Sequence, residues 1–187
     1  MKHFRLKGIL GLLFLMIIMN ACDHHSSLSG SKSVFFIAQP AEHYHAFNGH
    51  LNWYGRKRAG DLMRFLKDSS IQRIYTSPFS YSRETMDSLR VLQDIKTVEY
   101  PADSVGDKIF DLLEKNQDFG RRVLMIVSAD KINDVAEKLG ASSTNTLDGE
   151  NKFNVIYRLE NNKGKVNLHT LTYGGTPRPV SDSALKE

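Results

Sequence analysis

From Val34 onward the chain alternates short apolar runs with segments whose apolar residues recur every three or four positions, and this alternation limits the fold more than any other feature. Continuous apolar runs fit strands buried on both faces, whereas a period near 3.6 fits helices that lay one face on such a sheet. "VFFIA" (34–38), "IQRIYTS" (71–77) and "VLMIVS" (123–128) read as strands, and "KTVEY" supplies a short edge strand near Val98. Between them, residues 54–67 carry Ala59, Leu62, Met63 and Leu66 on one helical face. A second helix over 80–92 turns Met86, Leu89 and Val91 inward, and a third places Ile109, Leu112 and Leu113 together. A fourth helix runs to Leu139 and stops at Gly140, with Asp130 as its N-cap. "FNVIYRLE" and "KVNLHTLTY", separated by "NNKG", form a closing β-hairpin. The expected fold is therefore α/β: a three-layer α/β/α domain with a mostly parallel central sheet and a C-terminal hairpin.

The first 21 residues stand apart. "MKHFRLK" is basic, and the apolar run that follows it is short for a permanent membrane span, as in a secretory signal peptide. The segment ends in Met19-Asn20-Ala21-Cys22, which resembles a bacterial lipobox and implies that Cys22 becomes a lipidated N-terminus. Cys22 is the only cysteine, so an exported domain of this sequence has no intrachain disulfide and depends on its core. Residues 22–33, polar and rich in serine, read as a spacer that lifts the domain off the bilayer. The reading is a signal peptide at 1–21, a lipid-anchored spacer at 22–33, one domain at 34–173 and a disordered tail at 174–187. The implied location is the periplasmic or cell-surface side of a bacterial membrane, held there through Cys22.

The basic character belongs largely to the leader. Its removal takes Lys2, Arg5 and Lys7 from 25 basic residues and nothing from 21 acidic ones, leaving a net charge of +1. A nearly neutral domain lacks the electrostatic footprint of a nucleic-acid binder.

Residues leaving a buried strand commonly carry the chemistry of an α/β protein. Here the first strand leads into Gln39-Pro40, which offer no nucleophile, proton carrier or charge. Three later segments explain the oddity. "LNWYGRKRAGDLMRFL" contains Leu51, Gly55, Arg58, Ala59 and Leu62; "IQRIYTSPFSYSRETMDSL" contains Ser77, Pro78 and Thr85; "VLMIVSADKINDVAEKLG" is a strand leading into a helix. In order and spacing these resemble the histidine phosphatase superfamily, the phosphoglycerate-mutase-like fold, and above all its small members. The resemblance spans about 34–173 and implies their fold.

In that superfamily an Arg-His pair ends the first strand, a second Arg opens the second helix, and a second His follows the later strand. The guanidinium groups hold a phosphoryl group while the first His attacks phosphorus. Carried over residue by residue, the first Arg falls on Gln39, the nucleophilic His on Pro40, the second Arg on Tyr81 and the second His on Ala129, with Glu42 retained beside them. All four catalytic positions are replaced. Proline has no lone pair to attack phosphorus and no backbone N–H to bind an oxygen. Phosphoryl transfer relies on positioning and charge stabilisation, so exchanging two bidentate cations for an amide and a phenol removes most of what drives it.

Neighbouring groups offer two alternatives. His43 or His45 as a displaced nucleophile, with Arg83 or Lys131 as phosphate contacts, would make a phosphatase with a rebuilt site. The two-residue offsets of Arg83 and Lys131 point them nearly the opposite way on a helix, and in-line attack tolerates little misplacement. "EHYHAFNGH" (42–50) also contains enough ligand types for a metal, but its spacing matches no strong zinc signature, and His24-His25 is a poor preformed site. The sequence therefore reads as a non-catalytic domain, without cofactor or metal, that binds an envelope protein or a small ligand. Tyr81 and Trp53, placed at the border of the old pocket, would make it aromatic rather than cationic.

Overall fold

The computed structural model describes residues 32–45, 48–102, 105–142, 147 and 152–175. The leader, Cys22, His24-His25 and most of the spacer and tail lie outside the described residues. Elements follow in the order β1 (Ser33–Ala38), α1 (Trp53–Leu66), β2 (Arg73–Thr76), α2 (Ser80–Gln93), β3 (Thr97–Glu99), α3 (Val105–Lys115), β4 (Arg122–Ile126), a 3₁₀ turn (Ala129–Lys131), α4 (Ile132–Lys138), β5 (Val155–Asn162) and β6 (Lys165–Thr172).

The six strands form one sheet in the order β3-β2-β4-β1-β5-β6. β1, β2, β3 and β4 pair in parallel, which requires the crossover helices that the periodicity indicates, and the hairpin β5-β6 joins β1 antiparallel. Its two-residue turn, Lys163-Gly164, has positive φ at both positions, 54° and 87°, as the tight twist of a two-residue hairpin demands.

Strand alternation divides the core into two layers. Phe35 and Ile37 meet Ile109 and Leu113 of α3 and Ile132 and Val135 of α4 on one face. Val34 and Phe36 meet Leu62 and Leu66 of α1 and Met86 and Leu89 of α2 on the other. Because both faces of the inner strands are covered, these strands read as unbroken apolar runs rather than alternating ones.

Several sequence expectations need correction. Val91 is 63% exposed at the end of α2, outside the apolar face that Met86 and Leu89 form. Asp130 lies inside the 3₁₀ turn, Ser128 stands at the N-cap of that turn and Lys131 at that of α4, and neither makes a side-chain capping bond. The tight turn arrives one step earlier than periodicity could indicate. At the edges of the described fold, the buried Ser33 hydroxyl accepts the Gly120 N–H at 2.7 Å, and the Gly175 carbonyl accepts Arg58 Nη1 at 2.6 Å.

Candidate functional site

The carboxyl ends of β1, β2 and β4 converge, as their parallel register dictates, and a small cavity of about 70 Å³ opens there. It is lined by Pro40 after β1, Ser77, Phe79, Tyr81 and Ser82 at the entry to α2, Tyr100 and Ala102 after β3, and Ser128 after β4. Each wall follows from local chemistry. The Ser77 hydroxyl donates to Ser82 Oγ at 2.8 Å, closing the turn into α2. Thr85 Oγ1 accepts the Ala41 N–H at 2.9 Å and donates to the Tyr81 carbonyl at 2.7 Å, so one hydroxyl fastens the strand exit carrying Pro40 to the helix carrying Tyr81. Tyr100 donates its buried hydroxyl to the Ile126 carbonyl at 2.5 Å.

Below this cavity sits a charged anchor. Glu42 is 1% exposed and pairs with the buried Arg58, whose Nη2 reaches Glu42 Oε1 at 2.7 Å while Nε lies 3.3 Å from both oxygens. Asn52 N–H donates to the Glu42 carbonyl at 3.1 Å, and Asn52 Oδ1 caps α1 by accepting the Gly55 N–H at 2.9 Å. A Cβ on Gly55 would stand 1.9 Å from the Glu42 carbonyl oxygen, so only glycine allows this approach. Glu42, Gly55, Arg58 and Thr85 thus act as framework around the strand exit.

Of the positions singled out in the sequence, Pro40 and Tyr81 line the cavity, whereas the buried Gln39 and Glu42 and the half-buried Ala129 are not among its lining residues. The candidate substitutes are held elsewhere. His43 donates Nδ1–H to the Ala41 carbonyl at 2.9 Å and stacks its ring on Tyr81, centroids 4.1 Å apart, and His45 is exposed; neither lines the cavity. Arg83 bonds Glu99 Oε1 at 3.1 Å and the Pro78 carbonyl, and Lys131 lies 3.9 Å from Asp130 and 3.8 Å from Asp134. Among the described residues no group of three His, Cys, Asp or Glu gathers as metal ligands would. His50 instead bonds Glu84, whose other oxygen accepts the Leu51 N–H at 2.8 Å, closing the loop onto α2.

The electrostatics of the cavity depart from those of an anion site. Burial raises the pKa of Tyr81, and the nearby Asp130 carboxylate raises it further. Burial likewise pushes the Tyr100 phenol up, with Tyr81 adding to the effect. Both phenols stay neutral at ordinary pH, and the charge acting on Tyr81 is negative. Trp53, expected at this border, is 61% exposed; it packs edge-on against Tyr54 and beneath Lys57 and is not among the lining residues. Phe79 takes that place, stacked on Tyr81 at 5.3 Å. Phe79, Ser82, Tyr100 and Ser128 were not legible as pocket residues. Phe79-Ser80 between a strand and a helix period was the available signal for the first two, since a helix entry after a parallel strand faces the switch-point crevice.

Solved structures share this architecture. A phosphoglycerate mutase from Bacillus anthracis superposes with a TM-score of 0.59 at 12% identity, covering 77% of this chain and 94% of that one. An alpha-ribazole phosphatase from Shigella flexneri gives 0.56 at 11%, covering 80% and 100%. The chain has the histidine phosphatase fold. A protein histidine phosphatase SixA complexed with tungstate gives 0.53 at 14%, over 74% of this chain and 96% of that one. No protein-family model matches this sequence, and no curated protein sequence matches it.

Proposed function

We propose that this domain is a non-catalytic form of the histidine phosphatase fold, tethered to a membrane through Cys22 and working by binding a small neutral group of an envelope protein or ligand. The observation that carries this reading is the lining of the cavity: Pro40 and Tyr81 stand where the resemblance places a nucleophilic His and a phosphate-binding Arg, and among the described residues no basic side chain lines it. Losing one preorganised donor costs a transition state about 3 kcal/mol, and here the donors and the nucleophile are gone together. At about 70 Å³ the cavity is far below the roughly 300–1,000 Å³ of sites that enclose whole ligands, which suits a single side chain or a small group.

The test is hydrolysis of a phosphohistidine peptide and an aryl phosphate by the purified protein and by its His43→Ala, His45→Ala variant. Equal, background-level rates support the reading. Parent turnover that disappears in the variant establishes the rebuilt-site phosphatase instead.

A further inference from the structure

The end of the sheet opposite the cavity has a composition of its own. The parallel strands start there, since Val34 pairs with Arg122, Arg73 with Val123 and Ile74 with Thr97, and the β5-β6 turn lies there because Ser33 pairs with Asn161. Helices that return antiparallel to the strands end there too: the Ile74 N–H bonds the Lys96 carbonyl, and Gln93 bonds the Lys67 carbonyl across the ends of α2 and α1.

This base presents six exposed lysines: Lys32 before β1, Lys67 after α1, Lys96 before β3, Lys115 at the end of α3, and Lys163 and Lys165 at the hairpin tip. Against them stand two exposed acids, Asp68 and Asp94. A near-neutral domain has therefore gathered an excess of positive charge at one pole. The same pole exposes two adjacent aliphatic side chains on the last turn of α2, Val91 at 63% and Leu92 at 59%.

We infer that this base docks on an anionic lipid surface, with Val91 and Leu92 entering the headgroup boundary and the lysines facing lipid phosphates. The inference rests on the membrane-tether reading above. The segment from Cys22 enters the fold at Ser33, on this pole, and its covalent length limits the separation to about 35 Å. Screening confines electrostatic attraction to about 8 Å at physiological salt, so a tether that holds the base close is what lets scattered surface lysines act together. A lipid chain combined with a basic, partly apolar face is the two-signal arrangement that fixes a domain on a membrane. Docked this way, the protein turns its cavity away from the bilayer, towards a partner in the surrounding compartment.

The chain's single tryptophan provides the assay. Trp53 opens α1 at the cavity end, so in the parent it reports the far pole, while Leu92→Trp in a Trp53→Phe background reports the base. The chain from Cys22 onward, the form that the tether reading implies, is coupled through Cys22 to maleimide lipid in vesicles carrying brominated acyl chains, either wholly zwitterionic or with anionic phosphatidylglycerol. Expected is about twofold quenching of the Leu92→Trp reporter on anionic vesicles only, reversed by high salt and by Lys67→Glu, Lys96→Glu, Lys115→Glu, with Trp53 in the parent unquenched. No quenching at the Leu92→Trp reporter, equal quenching on both vesicles, or quenching of Trp53 would overturn the inference. Chemical coupling supplies the tether, so this result is independent of cellular lipidation, which membrane fractionation of a Cys22→Ser variant tests separately.

Discussion

Replacing Arg58 by methionine asks whether the buried Glu42–Arg58 pair serves the fold. The structure sets the expected cost. The Arg58 and Glu42 side chains are 7% and 1% exposed, and the pair is closed by short contacts from Nη2 and Nε together with the Gly175 carbonyl on Nη1. Methionine fills much of the stem's volume but leaves the Glu42 carboxylate buried without its counter-charge, a situation that costs about 3–5 kcal/mol. Against a total stability of about 5–15 kcal/mol, that is enough to unfold a marginal domain. Urea titration reads it as a lower midpoint at unchanged slope. Adding Glu42→Leu to Arg58→Met removes the stranded charge as well, and most of the loss should return, because the two residues are strongly coupled. A single-variant loss below about 1 kcal/mol would refute the reasoning, since Glu42 would then have reached solvent.

Two further outcomes follow from the same geometry. Thr85→Val deletes the acceptor of the buried Ala41 N–H and should cost about 1–3 kcal/mol, seen as a lower midpoint in urea. The pKa values of Tyr75, Tyr100 and Tyr173 are raised mainly by burial, so the folded state holds these protons more tightly than the unfolded chain. Their contribution is complete below the ordinary tyrosine pKa near 10 and declines as pH rises past it. Alkaline unfolding should therefore coincide with delayed phenolate absorbance, and early, non-cooperative titration of all the tyrosines would contradict this.

Much of the fold was legible because buried parallel strands and one-sided helices leave different periods in a sequence. Phe35 and Ile37 face one layer while Val34 and Phe36 face the other, and both faces being apolar produced the unbroken run that marked β1. The site was legible only where a residue follows directly from a strand or helix boundary, as with Pro40 and Tyr81. Tyr100 follows the edge strand β3, whose three residues leave too short a pattern to mark its end, and Ser128 stands just before a 3₁₀ turn that periodicity does not reveal. Trp53 illustrates the opposite error: an aromatic near the crevice in sequence projects outward on the first turn of α1, where nothing in the local pattern fixes its direction. Val91 was misjudged because one apolar residue beyond a helical stripe is indistinguishable, in sequence, from a member of it.

Calorimetric titration with tungstate, comparing the parent with Gln39→Arg, Pro40→His, Tyr81→Arg, Ala129→His, tests the central claim most directly, with circular dichroism confirming that both are folded. The parent cavity has no basic side chain among its described lining residues, whereas the variant carries two guanidinium groups able to grip an oxyanion bidentately. The account predicts no measurable binding by the parent and saturable binding by the variant, with turnover lagging because an in-line nucleophile needs finer placement than charge does. Tungstate binding by the parent equal to that of the folded variant, or none by either, would contradict it.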